Sequence, residues 1–425
     1  MSHESPRARP SLDWGLLVRN PHFRHVFIAR SISLLGLGFL AVAVPLQVYE
    51  LSGDSAAVGL AMALEGLGLF VGLLAGGVLA DRHDRKRLIL LARAACGLGF
   101  LGLALNAWAA SVLPRPLVLG LVYALAAWDG LFGALGVTAL LAAMPSLVGR
   151  ENLLQARALS MLSMRLATVG SPALGGLLIA VWGVGWNYLL AAVATGLTLL
   201  PLLRLPRLLP QAADSSHPLR ALAEGLRYLV GNKVVASVVL VGSLVSLTTG
   251  VRALFPALSR QAYDGGALEL GLMYSAVPLG AALSAWLSGW AERLERPGLA
   301  LQWLGLAAFS CLLALGLSRS FVLALGLLAL FGALVSLAGL LQYALVQGHT
   351  PDAYLGRVNG LWSAQDALGD AAGTVAVGLL AQTLSPHGGV AALGGAGLAL
   401  GLWALWRLPR LRAAAAEDAS LQTQT

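Results

Sequence analysis

The feature that most constrains this chain is its succession of long apolar runs. A bilayer core takes about 20 apolar residues per helix. That ruler marks runs near 26–49, 56–80, 88–108, 117–143, 153–181 and 185–204. After a polar break come 234–258, 267–291, 298–317, 321–345, 356–382 and 389–407. A lipid core offers the backbone no partner, so each run must satisfy its own amides as a helix. The predicted class is all-α integral membrane: twelve spans, with both ends on one side. Composition agrees, because 11% of the 425 residues are charged against about 25% in a soluble domain. The first run is also too long for a signal-peptide core of about 7–15 residues.

Loop charges set the orientation. Of the 28 Lys and Arg residues, twenty fall on the side holding the termini and the Asp81–Arg87 loop. The other side has Arg115, Arg260 and Arg319. Positive charge stays in the cytoplasm, so both termini are expected there. The same placement absorbs the net charge of +8 and excludes a nucleic-acid partner; the surroundings are lipid. Residues 1–204 and 234–412 form two six-helix halves. The connection 205–233 includes an amphipathic surface helix with Leu219, Leu222, Leu226, Leu229 and Val230 on one face. Residues 413–425 read as a disordered cytoplasmic tail. "VGRENLLQA" before the fifth span is echoed by "LGRVNGLWS" before the eleventh, the internal repetition of many secondary transporters.

Enzyme signatures are missing. "GLGFLG", 97–102, lies inside a span with no strand before it, there is no Walker Lys loop, and no His pair has metal spacing. Cys96 and Cys311 sit in apolar runs. Neither a cofactor nor a metal is expected.

Charge at membrane depth costs about 2.5–3.5 kcal/mol per residue and needs a reason. Asp129 and Arg165 fall near the midplane of consecutive spans, so an interior ion pair is expected, either opening during transport or locking two helices statically. Asp366 and Asp370 share a helix face at a spacing of four and suit proton binding or a water-filled wall. Glu65 is the other midplane acid, a proton carrier or a hydrogen-bonded packing residue. Arg30 and Arg252 either snorkel to a membrane face or line a cavity and attract a substrate oxygen. Gly68, Gly72 and Gly76, like Gly369 and Gly373, repeat every four residues, which allows close helix approach.

"GGVLADRHDRKRL" resembles the loop 2–3 motif of the major facilitator superfamily, matched here by Gly77, Leu79, Ala80, Asp81, Arg82, Arg85 and Lys86, with Asp84 in a Gly position. "GSPALGG", with Gly170, Pro172, Gly175 and Gly176, resembles the fifth-helix motif of its exporters. The fourth-helix Arg of many proton-coupled members is replaced by "WDGLFG". Long runs such as "NPHFRHVFIARSIS" and "WDGLFGALGVTALLAAMPSLVGRENLLQA" resemble the enterobactin exporter subfamily. The resemblance implies a monomeric inner-membrane exporter of a catecholate siderophore, working by alternating access and proton antiport. The alternative is a multidrug or macrolide exporter. It further implies a cavity lined by the first, fourth, seventh and tenth helices, with Trp128, Gln342 and Tyr343 as substrate contacts. Asp81 would pair with Arg82 or Arg85 as a conformational gate. The second and eleventh helices would meet across the halves, so their glycine stripes are expected to be sliding surfaces, although static packing alone would need the same residues.

Overall fold

The computed structural model describes residues 13–209, 226–286, 288–289 and 294–414. Twelve long helices follow one another: α1 Pro21–Ser52, α2 Ser55–Arg82, α3 Arg85–Ala109, α4 Arg115–Val148, α5 Leu153–Trp182 and α6 Val184–Leu203, then α7 Lys233–Ala262, α8 Ala267–Trp286, α9 Pro297–Leu317, α10 Phe321–Gly348, α11 Asp352–Thr383 and α12 Pro386–Arg407. Eleven are long and apolar enough to cross a membrane. The twelfth, α11, matches them in length but carries Asp366 and Asp370 in its middle.

Local sequence decides where each helix starts. Asn20, Asp54, Asp84, Asn232, Ser320 and Ser385 each accept a hydrogen bond from a first-turn amide, which satisfies donors that no preceding turn can reach. Gly53 and Gly183 end α1 and α5 at φ 70° and 84°, a backbone region open chiefly to glycine.

Packing then divides the chain into two halves. Within the first, α4 lies against α2 and α3, while α1 lies against α5 and α6. Within the second, α10 lies against α8 and α9, and α11 against α7. The halves meet along two seams, α2 on α11 and α5 on α8.

The apolar cores distinguish the two ends of the bundle. At the end bearing the Asp81–Arg87 loop, hereafter the basic end, each half has its own core. One includes Phe23, Ile89, Leu147 and Leu159, the other Val238, Leu301, Leu345 and Val358. At the opposite end a single core runs through both halves, including Val48, Val58 and Tyr188 with Leu254, Phe255 and Leu270. The bundle is therefore fused at one end and parted at the other.

The glycine stripes serve static packing and not a sliding seam. A side chain at Gly68 or Gly72 would strike the α4 backbone at Ala127 and Leu131, and one at Gly76 would strike Thr138 of α4. Gly369 and Gly373 face Ser246 and Leu247 of α7. Both stripes seal helices inside one half, because a helix presents one face to its own half and another to the seam. The seam uses other residues. A Cβ on Gly59 would lie 2.7 Å from Thr374 O, and one on Gly176 would lie 2.9 Å from Gly271 Cα.

The expected surface helix over 219–230 lies partly outside the described residues, of which 226–231 are helical. Beyond Arg407 a short helix, Pro409–Ala413, packs on α9, and 415–425 lie outside the described residues.

Candidate functional site

Between the halves lies a cavity of about 880 Å³, within the usual range for a small-molecule site. Its walls come from α1, α2, α5, α7, α8, α10 and α11. Leu34, Leu37, Leu69, Phe255 and Phe331 supply apolar surface, and the ionisable groups are Glu65, Arg165, Arg252, Tyr274, Asp366 and Asp370. The fourth helix, expected in the wall, supplies none of these residues.

The chemistry concentrates where α7 meets α11. Here α7 is irregular: an α-helix to Thr249, a 3-10 turn Gly250–Leu254, then a π turn Leu258–Ala262. Gly250 permits this, since its Cα abuts the backbone of Gly373 and Thr374. The changed pitch turns Arg252 inward. Its Nη2 donates to Asp370 Oδ2 at 2.5 Å, while Thr249 Oγ1 donates to Asp370 Oδ1 at 2.5 Å. Tyr274 on α8 donates to the carbonyl of Arg252 at 2.9 Å. Ser246, one turn earlier, donates to Asp366 Oδ1. Asp366 and Asp370 thus share a face as expected, and each is held by α7. Snorkelling is excluded for Arg252, which is bound within the cavity wall.

Glu65 stands on α2 of the other half, within electrostatic reach of Arg252 and Asp370. Arg165 also lines the cavity and makes no side-chain hydrogen bond or ion pair among the described residues. The Asp129–Arg165 pair is not formed. Asp129 is 6% exposed and turns to α3, beside the Cys96 thiol and within reach of the Arg93 charge. The reason is topological: α4 packs mainly on α2 and α3, so helices consecutive in sequence need not face each other. Arg30 is half-buried, feels the charge of Arg93 and is absent from the cavity wall.

Of the aromatic and amide contacts expected, Gln342 lines the cavity. Trp128 instead donates to Ala95 O of α3 at 2.8 Å and packs 4.4 Å from Phe132. Tyr343 is half-exposed outside the cavity, its ring 6.1 Å from that of Trp362. A helix turns about 100° per residue, and here that turn carries Tyr343 off the face on which Gln342 meets the cavity. Ser246, Thr249, Tyr274, Trp362 and Arg93 were not singled out from sequence. The polar spacing Ser246, Thr249, Arg252 within an apolar run was the available signal.

In the exporter-type motif, Pro172 lines the cavity and Gly176 sits on α8. Gly175 lies against Phe39 of α1, and Gly170 faces open space. The Ala173 amide donates across the seam to Ser275 Oγ at 2.9 Å. The charged loop, by contrast, braces a single half. Arg85 donates to Ala80 O and Ala142 O, and Lys86 to Leu203 O and Leu205 O. Asp84 caps α3 and accepts from Leu208 N at 3.1 Å. Asp81 and Arg82 are exposed, and among the described residues Asp81 has no hydrogen bond or ion pair. Of its expected partners, Arg85 is committed to backbone carbonyls, and Arg82 forms no ion pair among the described residues. A Cβ on Gly77 would meet nothing within 4 Å.

All cross-half hydrogen bonds among the described residues lie away from the basic end. Besides Ala173 to Ser275, Gln261 donates to Tyr49 OH at 2.6 Å and Gln382 to Asp54 Oδ2 at 2.9 Å. Arg260 and Glu50 form an ion pair at 3.4 Å. The fused end is thus latched by polar contacts as well as by its core.

Comparison with known proteins agrees with this architecture. The chain is 48% identical over 401 residues to the enterobactin exporter EntS of Shigella boydii serotype 18, covering 94% of this chain and 95% of that one. It is 47% identical over the same spans to EntS of Escherichia coli O1:K1. The solved nucleoside transporter NupG matches at a TM-score of 0.72 and 10% identity, covering 92% of this chain and 99% of that one. A bacterial homologue of the lysosomal transporter Spinster matches at 0.67 and 13%, covering 94% and 96%. A family model described as transmembrane secretion effector matches residues 16–424. With that match, the twelve-helix two-half fold and the central cavity, the chain belongs to the transmembrane secretion effector family of major facilitator transporters.

Proposed function

We propose that this protein exports a catecholate siderophore from the cytoplasm across the inner membrane by alternating access, in exchange for protons. The observation that carries the reading is similarity at 47–48% identity over 94% of the chain to proteins named as enterobactin exporters. The cavity supports it, being large enough for an aromatic ligand of several rings and lined by both apolar and hydrogen-bonding groups. With the basic end in the cytoplasm, the parted cores there support the reading of an inward-facing state that loads substrate.

Proton exchange is supported by Glu65, Arg252 and Asp370, which stand on opposite halves in one cavity. When Asp370 takes a proton, Arg252 loses its partner and can turn toward Glu65. That transfer would link protonation to the relative position of the halves. Among the described residues Asp81 has no partner, which suits a gate that closes only in the opposite state.

The test is reconstitution in vesicles with an imposed pH gradient. Transport of metal-free siderophore should follow the gradient and fall when a protonophore collapses it. Transport indifferent to the gradient would remove antiport and leave the exporter reading standing. Movement of unrelated drugs without siderophore would replace that reading with multidrug export.

A further inference from the structure

We propose that Asp366 is the residue by which the cavity distinguishes a metal-free catechol ligand from its iron complex. The inference rests on the exporter reading above. Trp362, Asp366 and Asp370 lie four residues apart on α11 and all line the cavity, so they form one stripe. Along that stripe the carboxylates differ. Both oxygens of Asp370 are occupied, by Thr249 and by Arg252. Asp366 gives Oδ1 to Ser246. Its Oδ2 has no partner among the described residues, and the residue stands exposed in the cavity. One turn away, the indole of Trp362 is oriented by donation from Nε1 to Gln342 Oε1 at 3.2 Å. An oriented aromatic face beside a free carboxylate oxygen complements a catechol, whose ring stacks while its hydroxyls donate.

Iron removes what this arrangement reads. Each catechol gives up both hydroxyl protons on chelating Fe(III), so three rings exchange six O–H bonds for six Fe–O bonds. A neutral ligand then becomes a complex of charge −3. Asp366 meets no hydroxyl donor in that complex and faces like charge instead. A site that hydrogen-bonds a ligand hydroxyl strongly rejects the analogue lacking it.

The experiment is calorimetric binding to the full-length protein in lipid nanodiscs. The probes are a tris-catecholamide and its Ga(III) complex, which has the charge and shape of the ferric one. The metal-free form should bind wild type at least about tenfold tighter. Asp366→Asn, whose amide can donate, should bring that ratio toward one. Ser246→Ala, which releases Oδ1 and keeps the carboxylate, should preserve or widen the ratio, and serves if Asp366→Asn does not fold. Equal binding of the two forms to wild type overturns the proposal. So does an undiminished ratio in Asp366→Asn or a collapsed ratio in Ser246→Ala. If wild type binds neither form, the exporter reading itself falls.

Discussion

Asp129 of the first half and Asp370 of the second are both interior acids, and they stand in opposite settings. In the first, Asp129 is buried against α3 with Arg93 and Cys96, away from the cavity. In the second, Asp370 and Arg252 form their pair in the cavity wall, each more than a third exposed at 37% and 38%. Both acids lie near the middle of their helices, so depth alone does not separate them. The difference is which face of the helix each occupies. An acid buried between helices of one half is held there by its neighbours, here the Cys96 thiol and the nearby Arg93 charge. A pair open to the cavity can change partners when ligand or proton arrives.

Three substitutions would break or sharpen this contrast. The largest effect on transport is expected from Arg252→Ala, which leaves the Asp370 carboxylate without its cation. Breaking a fully buried pair costs about 3–5 kcal/mol. Solvent in the cavity reduces this to about 2 kcal/mol, or roughly 30-fold in transport rate. Vesicle assays on protein of unchanged thermal stability would read it, and a variant transporting at the wild-type rate would return Arg252 to a packing role.

Asp129→Asn should do the reverse. It removes a buried carboxylate from beside the Cys96 thiol and the Arg93 charge, at about 1–3 kcal/mol of stability, while transport per folded molecule stays within about threefold. Thermal unfolding in detergent measures the first quantity and vesicle assays the second. An inactive but fully stable variant would erase the contrast between the halves.

The smallest effect belongs to the latch at the fused end. Glu50 and Arg260 are 44% and 56% exposed, and exposed pairs contribute about 0.2–1 kcal/mol. Glu50→Gln should therefore move the inward-to-outward population by less than about fivefold, measured by spin-label distances across that end. Raising salt should produce a similar shift in wild type. A complete switch of state would mean that this ion pair, and not the shared core, keeps the end closed.

Much of the architecture was legible in advance. Apolar runs longer than a bilayer is thick must become helices, and their number and the midpoint break gave two halves of six. Glu65, Arg252, Asp366 and Asp370 could be named as candidates because charge in such runs needs a polar environment, and Gln342 through the family resemblance. Partners were harder to read. Asp129 and Arg165 looked paired because their helices are consecutive, yet α4 packs on α2 and α3. The glycines of α2 and α11 looked like a seam between halves, yet they face α4 and α7. Asp84, which departs from the loop motif, proved to cap α3 and hold Leu208.

The sequence by itself determined what is local or additive: the helices, through apolar length and capping residues, and the gathering of the basic loops at one end of the bundle, through the alternation of the spans. Only the tertiary structure decided which face of each helix meets its own half, the other half or the cavity. Those choices depend on rotations about helix axes, set jointly by all the packed neighbours. The irregular turn of α7 is the plainest case. Gly250 allows its backbone to press against Gly373, and that contact aims Arg252 at Asp370.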